Sequence, residues 1–144
     1  MPIAAALLAL AACGGGDDAS DAPSTAAPGE GLGPAFYALG ERSGLCAASD
    51  NGAAMIVYAD DTDANCMVEG QIVTGEGGAL ALVPRGDDQC RIPIEDRGQS
   101  IRLGDGGEAC AYYCGGDVSF AGRELTKNWD ETPDLRDAAG DPLC

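Results

Sequence analysis

No histidine occurs anywhere in the 144 residues. That absence removes the commonest general base, the usual serine and cysteine hydrolase arrangements, and the imidazole ligand of most zinc sites. Cations are scarce as well: eight Lys and Arg stand against 24 Asp and Glu, giving a formal net charge of −16. Phosphate binding needs a basic footprint, so nucleic acid is disfavoured as a partner. Large apolar side chains are also few. The hydrophobic fraction is 45%, but much of it is alanine, and only two Phe, four Tyr and one Trp are present. From residue 13 onward, Ile, Leu, Val and Phe make up fewer than one residue in five. A composition so acidic and so poor in apolar bulk stays disordered unless something other than a large core holds it. No phosphate-cradling loop is present either, because Gly75-Glu76-Gly77-Gly78 lacks the following lysine and the strand-to-helix context.

What the chain has is cysteine, at positions 13, 46, 66, 90, 110, 114 and 144. The first ends an apolar run, Ile3 to Ala12, that is too short for a bilayer span of roughly 20 residues. Leu10-Ala11-Ala12-Cys13 resembles the lipobox of bacterial lipoproteins, in which an aliphatic and two small residues precede a cysteine that is lipidated and becomes the mature N-terminus. The resemblance implies a signal peptide over 1–12, a lipid on Cys13 and a membrane-anchored protein of the bacterial cell envelope. Gly14, not aspartate, follows the lipidated position, which by the same resemblance implies the outer membrane, facing the periplasm, in preference to the inner one. Gly14-Gly15-Gly16 stops any helix where a tether should begin. Met1-Pro2-Ile3 carries no basic n-region, so the natural start is expected upstream.

With Cys13 set aside, Cys46, Cys66, Cys90, Cys110, Cys114 and Cys144 form an even set, suited to disulfides in an oxidising compartment. Six cysteines allow 15 pairings. Cys144 is the last residue, where a chain normally frays, so it reads as a staple for the tail, with Cys114 or Cys110 as the preferred partner. Cys46 with Cys66 closes the shortest remaining loop. Three disulfides at about 2–4 kcal/mol each rival the whole margin of a small domain, about 5–15 kcal/mol. The fold is therefore expected to depend on oxidation.

Residues 13–33 are rich in Gly, Asp, Ser, Ala and Pro with Leu32 as the one large apolar residue, a composition suited to a flexible tether. Residues 34–144 are expected to form a single β-rich domain. Pro34 to Gly40 reads either as a short helical turn or as an irregular segment packing Phe36 and Leu39. Seven short strands follow, over 45–48, 54–58, 66–73, 79–84, 89–94, 100–103 and 109–113, separated by turn residues such as Asp50-Asn51-Gly52. Alternation places Cys90, Ile92 and Ile94 on one face and Arg91 on the other, and likewise Ile101 and Leu103 against Arg102. Pro93 puts its strand at an edge or at a bulge. The fold class is thus mainly β, a small antiparallel meander forming a barrel or a sandwich. From 118 to 143 the chain reads as mostly turn-forming, with Phe120, Leu125, Trp129 and Leu135 as anchors.

Few residues suggest chemistry. Cys110-Ala111-Tyr112-Tyr113-Cys114 has three intervening residues where redox pairs have two, and zinc would need a second pair, so structural half-cystines are expected. Asp61, Asp63 and Asn65 match the opening spacing of a calcium loop, but Cys66 replaces its turn glycine and Ile72 its bidentate glutamate, which leaves solvated turn charges. With 24 carboxylates, no glycosidase pair stands out. No catalytic residue, cofactor or metal is expected.

Two readings follow. In one, the chain is a non-catalytic, monomeric binding or inhibitory module whose acidic field attracts a basic envelope protein. Size, lipid anchor, disulfides and β-barrel are together similar in architecture to the periplasmic lysozyme inhibitors, which implies lysozyme as such a partner. Their Ser-Gly-x-x-Tyr motif has no counterpart, since Ser43-Gly44 is followed by Leu45, Cys46 and Ala47. In the other, it is a structural envelope lipoprotein with no specific ligand.

Overall fold

The computed structural model describes residues 31–129 and 134–144; the expected signal peptide, Cys13 and the expected tether up to residue 30 lie outside them. Residues 31–129 form eight strands: β1 (Ala35–Leu39), β2 (Ser43–Ala47), β3 (Gly52–Tyr58), β4 (Asn65–Thr74), β5 (Leu80–Pro84), β6 (Ile92–Asp96), β7 (Ser100–Leu103) and β8 (Glu124–Asn128). Each pairs antiparallel with the next, and β8 pairs back with β1, so the meander closes as a barrel. Closure decides between barrel and sandwich, and it removes the free sheet edges.

Three expectations are corrected. Pro34 to Gly40 contains neither a helical turn nor an irregular segment but β1, whose Tyr37 points into the core while its backbone pairs with both β2 and β8. Residues 109–113 are not a strand, because a 3₁₀ helix (Glu108–Tyr113) occupies them, with Cys110 and Cys114 drawn to different partners. The final strand, β8, falls inside the stretch read as turns, where Leu125 is fully buried but no apolar alternation flanks it.

Pro93 also sits differently. There is no edge for it to occupy: it lies within β6, opposite Ala81. In a strand a residue's nitrogen and carbonyl point to the same neighbour. Pro93 accepts the Gly104 N–H at 2.8 Å just beyond the end of β7, so its missing donor falls where that ladder is finishing.

Inward-facing side chains from the strands fill the barrel: Tyr37, Leu45, Met55, Val57, Val68, Leu82, Ile92, Ile101 and Leu125 are all at most 1% exposed. Phe120 packs with them from the loop before β8, and Leu32, from the end of the expected tether, leans on the same cluster. Cys90, Ile92 and Ile94 face inward with Ile101 and Leu103, as the alternation predicts. Four further buried apolar side chains, Ala54, Ile56, Val83 and Leu135, belong to no part of this interior cluster. Of the anchors expected near the C-terminus, Trp129 is instead 67% exposed.

The six cysteines are paired, but not as loop length suggested. Cys46 joins Cys144, Cys66 joins Cys114 and Cys90 joins Cys110, across separations of 98, 48 and 20 residues. Cys46 and Cys66 cannot meet because they occupy β2 and β4, with β3 between them. Cys110 and Cys114 are each committed to the strand or loop beneath the 3₁₀ helix, which leaves Cys144 to the outward-facing Cys46.

Burial of Tyr37 has a consequence at high pH. Desolvation, and secondarily the charge of Asp96, push its phenol up to about 12 from the ordinary 10.0. A raised acid holds its proton longer in the folded chain, so its contribution is complete below pH 10 and is lost as pH rises through 12. The melting temperature should fall across pH 10–12, by the equivalent of roughly 2 kcal/mol. A Tyr37→Phe variant should flatten that segment of the profile; an unchanged slope would rule out this cause.

Candidate binding surfaces

An eight-stranded meander presents its loops at two ends, and strand direction assigns each. Chain entry, the β2–β3 turn, the β4–β5 turn, the β6–β7 turn and the exit of β8 share one end. At that entry a side chain on Gly31 would meet Asn51 and Ile72, and the Ile72 N–H bonds to the Asn51 carbonyl at 2.8 Å. The opposite end carries the longer connections: 40–42, 59–64, 85–91 and 104–123.

Acidity is concentrated at that opposite end. Its loops hold Glu41, Asp60, Asp61, Asp63, Asp87, Asp88, Asp105, Glu108 and Asp117, against Arg42, Arg85, Arg91 and Arg123. The turns of the entry end, 48–51, 75–79 and 97–99, hold only Asp50, Glu76 and Arg97. Two disulfides fix the acidic end. Cys66–Cys114 ties the 3₁₀ helix to β4, where the Gly115 N–H also bonds to the Asn65 carbonyl at 2.7 Å, and Cys90–Cys110 ties it to the loop before β6.

That helix exposes Tyr112, 88% accessible, in edge-to-face contact with Tyr113 at 5.3 Å between ring centres. The Tyr113 hydroxyl donates to Asp87 Oδ2 at 3.0 Å. Hydrogen bonds from the Gln89 N–H and from Tyr113 hold the Asp87 carboxyl below its usual range, while partial burial and then the bond to Asp87 push the Tyr113 phenol up. Asp87 therefore stays ionised and keeps Tyr113 a neutral donor. The result is an aromatic pair anchored through Tyr113 to an ionised Asp87, with Tyr112 projecting outward.

Much of the aspartate, however, serves the turns themselves. Asp50, Asp87, Asp96, Asp105 and Asp137 each accept a backbone N–H two residues on, from Gly52, Gln89, Gly98, Gly107 and Ala139 at 2.8–3.0 Å. This is the Asx-turn, in which a carboxylate stands in for a backbone carbonyl. Asp-x-Gly at 50–52, 96–98 and 105–107 is its signature in the sequence, and 50–52 is a turn as expected.

The residues singled out from the sequence scatter. Asp61 and Asp63 lie in the exposed β3–β4 loop, Asp63 pairs with Arg42 at 3.0 Å, and Asn65 opens β4 with its amide donating to the Asp63 carbonyl. Among the described residues, no three of His, Cys, Asp and Glu converge in a way that would hold a metal ion. Ser43 is buried in β2, accepting the Tyr58 N–H at 2.9 Å, so Ser43-Gly44 occupies a strand and not an exposed loop.

Two features had no sequence signal. A groove of about 630 Å³ runs between the outer wall and the C-terminus, lined by Ala35, Phe36, Ala47, Ala54, Leu143 and Cys144, with Glu69 and Arg85 as its charged residues. At the entry end, Trp129 stacks under the Lys127 ammonium at 4.1 Å and donates to Gln99 Oε1 at 3.4 Å. No protein-family model, curated protein or solved structure matches the chain.

Proposed function

We propose that the protein is a non-catalytic binding or inhibitory module for a basic envelope protein, engaged through the acidic end of the barrel and carried on a lipid at Cys13. The observation that carries this reading is exposed Tyr112 on a doubly stapled helix, at the barrel end whose loops hold nine carboxylates against four arginines. A tyrosine on a stapled helix has little backbone freedom left to lose when it binds, and the acidic character of this end raises the encounter rate with a cationic partner. Chain entry lies at the other end, so a tether to Cys13 leaves the acidic end turned outward. Lysozyme, a basic protein, is the named candidate through architectural similarity.

Capture from envelope extracts on the immobilised chain should retain a stoichiometric basic protein at low salt and lose it at high salt, because exposed charges are screened within about 10 Å at 0.1 M. Tyr112→Ala should weaken capture at least tenfold, the equivalent of about 1.4 kcal/mol. Lysozyme assays with micromolar protein test the named partner, and full lysozyme activity would remove it.

One observation favours a second reading, that of a structural envelope lipoprotein without a specific ligand. Five aspartates are consumed by turns, and the carboxylates do not line the groove, where Glu69 is the one acidic residue. If capture yields no stoichiometric basic protein at any salt, this reading stands.

A further inference from the structure

Residues 134–144 form a small loop of their own on the outer wall of the barrel. Its hydrogen bonds are internal: Leu143 N–H to the Leu135 carbonyl at 2.8 Å, Asp137 N–H to the Asp141 carbonyl at 2.9 Å, and two further N–H groups to the Asp137 carboxylate. Arg136 is held within it too, by Asp134 at 2.8 Å and the Gly140 carbonyl at 2.9 Å. The disulfide-bonded Cys46 sulfur in β2 also lies 3.6 Å from the Leu143 carbonyl. What fixes it to the wall is the Cys46–Cys144 bond together with the burial of Leu135, 3% exposed. Ala54 and Phe36 line the groove that Leu143 and Cys144 border, and Ile56, two residues on from Ala54 in β3, is fully buried outside the interior cluster.

The three disulfides differ in accessibility. Cys90–Cys110 is buried at both sulfurs, and Cys66–Cys114 joins a 0% exposed cysteine to a half-buried one, whereas Cys46–Cys144 joins a half-buried cysteine to Cys144, the one exposed half-cystine. We propose that Cys46–Cys144 is a redox-released strap: its selective reduction frees residues 134–144 and removes one wall of the groove while the barrel stays folded. The inference stands apart from the binding reading, since it concerns the outer wall and not the acidic end.

The chemistry is thiol–disulfide exchange with a dithiol reductant. One thiolate of the reductant attacks the Cys144 sulfur, and the Cys46 thiolate leaves and takes up a proton. The second thiol of the reductant then displaces Cys144 as a thiol, and the reductant departs as its own disulfide. Two electrons have passed to the chain. The barrel survives because Cys66–Cys114 and Cys90–Cys110 remain and because none of the β1–β8 ladder bonds involves the strap.

The full oxidised chain is titrated with dithiothreitol without denaturant, then alkylated and mapped by peptide mass, with circular dichroism and trypsin digestion on the same samples. Cys46 and Cys144 should alkylate at least tenfold faster than the four cysteines of the other two disulfides. Cleavage after Arg136 should accelerate at least tenfold at that stage, with the β-sheet spectrum retained. Cys144→Ser should show the same accelerated cleavage with no reductant and the same spectrum. Alkylation of all six cysteines together, continued protection of Arg136 once Cys46 and Cys144 are free, or loss of the β spectrum at that stage or in Cys144→Ser would overturn the proposal.

Discussion

Reduction of all three disulfides is expected to abolish the cooperative melt and the β-sheet signal of the chain at 25 °C. Loop-closure entropy gives the scale. Separations of 20 and 48 residues for Cys90–Cys110 and Cys66–Cys114 correspond to about 3 and 4 kcal/mol withdrawn from the unfolded chain. Together they equal the lower half of a small domain's entire margin, about 5–15 kcal/mol. Little else is available to replace them, since the interior is built from medium-sized side chains with Tyr37 and Phe120 as its only aromatic rings among the fully buried residues. Both staples also hold the 104–123 connection, whose 3₁₀ helix has no side-chain cap and whose buried residue is Cys110 itself. Cutting either one singly, as Cys66→Ala/Cys114→Ala or Cys90→Ala/Cys110→Ala, should lower the melting temperature by more than about 10 °C. A fully reduced chain with an unchanged spectrum and melting curve would show that the core suffices alone.

The alternation that predicts a half-buried sheet depends on local chemistry, and wherever that alternation is strong the strand is present. Ile92 and Ile94, and Ile101 and Leu103, lie inward because period two is a property of the strand itself. Closure is not a local property. β8, ELTKN, has one apolar residue, Leu125, and becomes a strand because β7 and β1 both offer it a ladder, with Ser100 opposite Thr126 and Phe36 opposite Asn128. Likewise the even cysteine set is visible in composition, whereas the connectivity is decided by which strands are neighbours. Cys46 points to the outer wall and therefore meets the tail, not Cys66 one strand beyond β3.

The same distinction applies to the candidate surfaces. Acidic turns are visible as turns, since Asp-x-Gly carries its own hydrogen bond. Which turns gather at one end depends on the count of strands between them, and a chain read with seven strands assigns the last loops to the wrong end. The 3₁₀ helix bearing Tyr112 reads as a strand in the sequence because Ala109 to Tyr113 is an apolar run of strand length, and runs that short do not separate the two. The groove needs the C-terminal loop in place beside β1 to β4, and that placement rests on the 98-residue Cys46–Cys144 bond and the burial of Leu135, neither of which is a local property.

Gly70→Ala should be among the most damaging single methyl additions in this chain, and the reason lies in how closely β4 and β5 approach. Gly70 pairs with Pro84, and a Cβ on it would run into the Val83 carbonyl and come within 2.8 Å of Pro84 Cα. These are backbone atoms, so no side-chain rotation relieves the clash. The strands must separate, and with them the neighbouring pairs Gln71 with Val83 and Ile72 with Leu82, the last of which lies in the core. Overpacking of a fixed site costs about 1–3 kcal/mol and more where backbone must shift, so a loss at or above about 3 kcal/mol in urea unfolding is expected. Gly75→Ala is the matched control. It has no positive φ, and its nearest neighbour would stand 3.6 Å away, ordinary van der Waals contact, so its stability should change by no more than about 0.5 kcal/mol. Because Gly70 also lines the groove, the same methyl should disturb the wall against which Leu143 and Cys144 lie. Trypsin cleavage after Arg136 should therefore rise in Gly70→Ala below its unfolding midpoint, and equal loss of stability in the two variants would mean that β4 and β5 are not held at this distance.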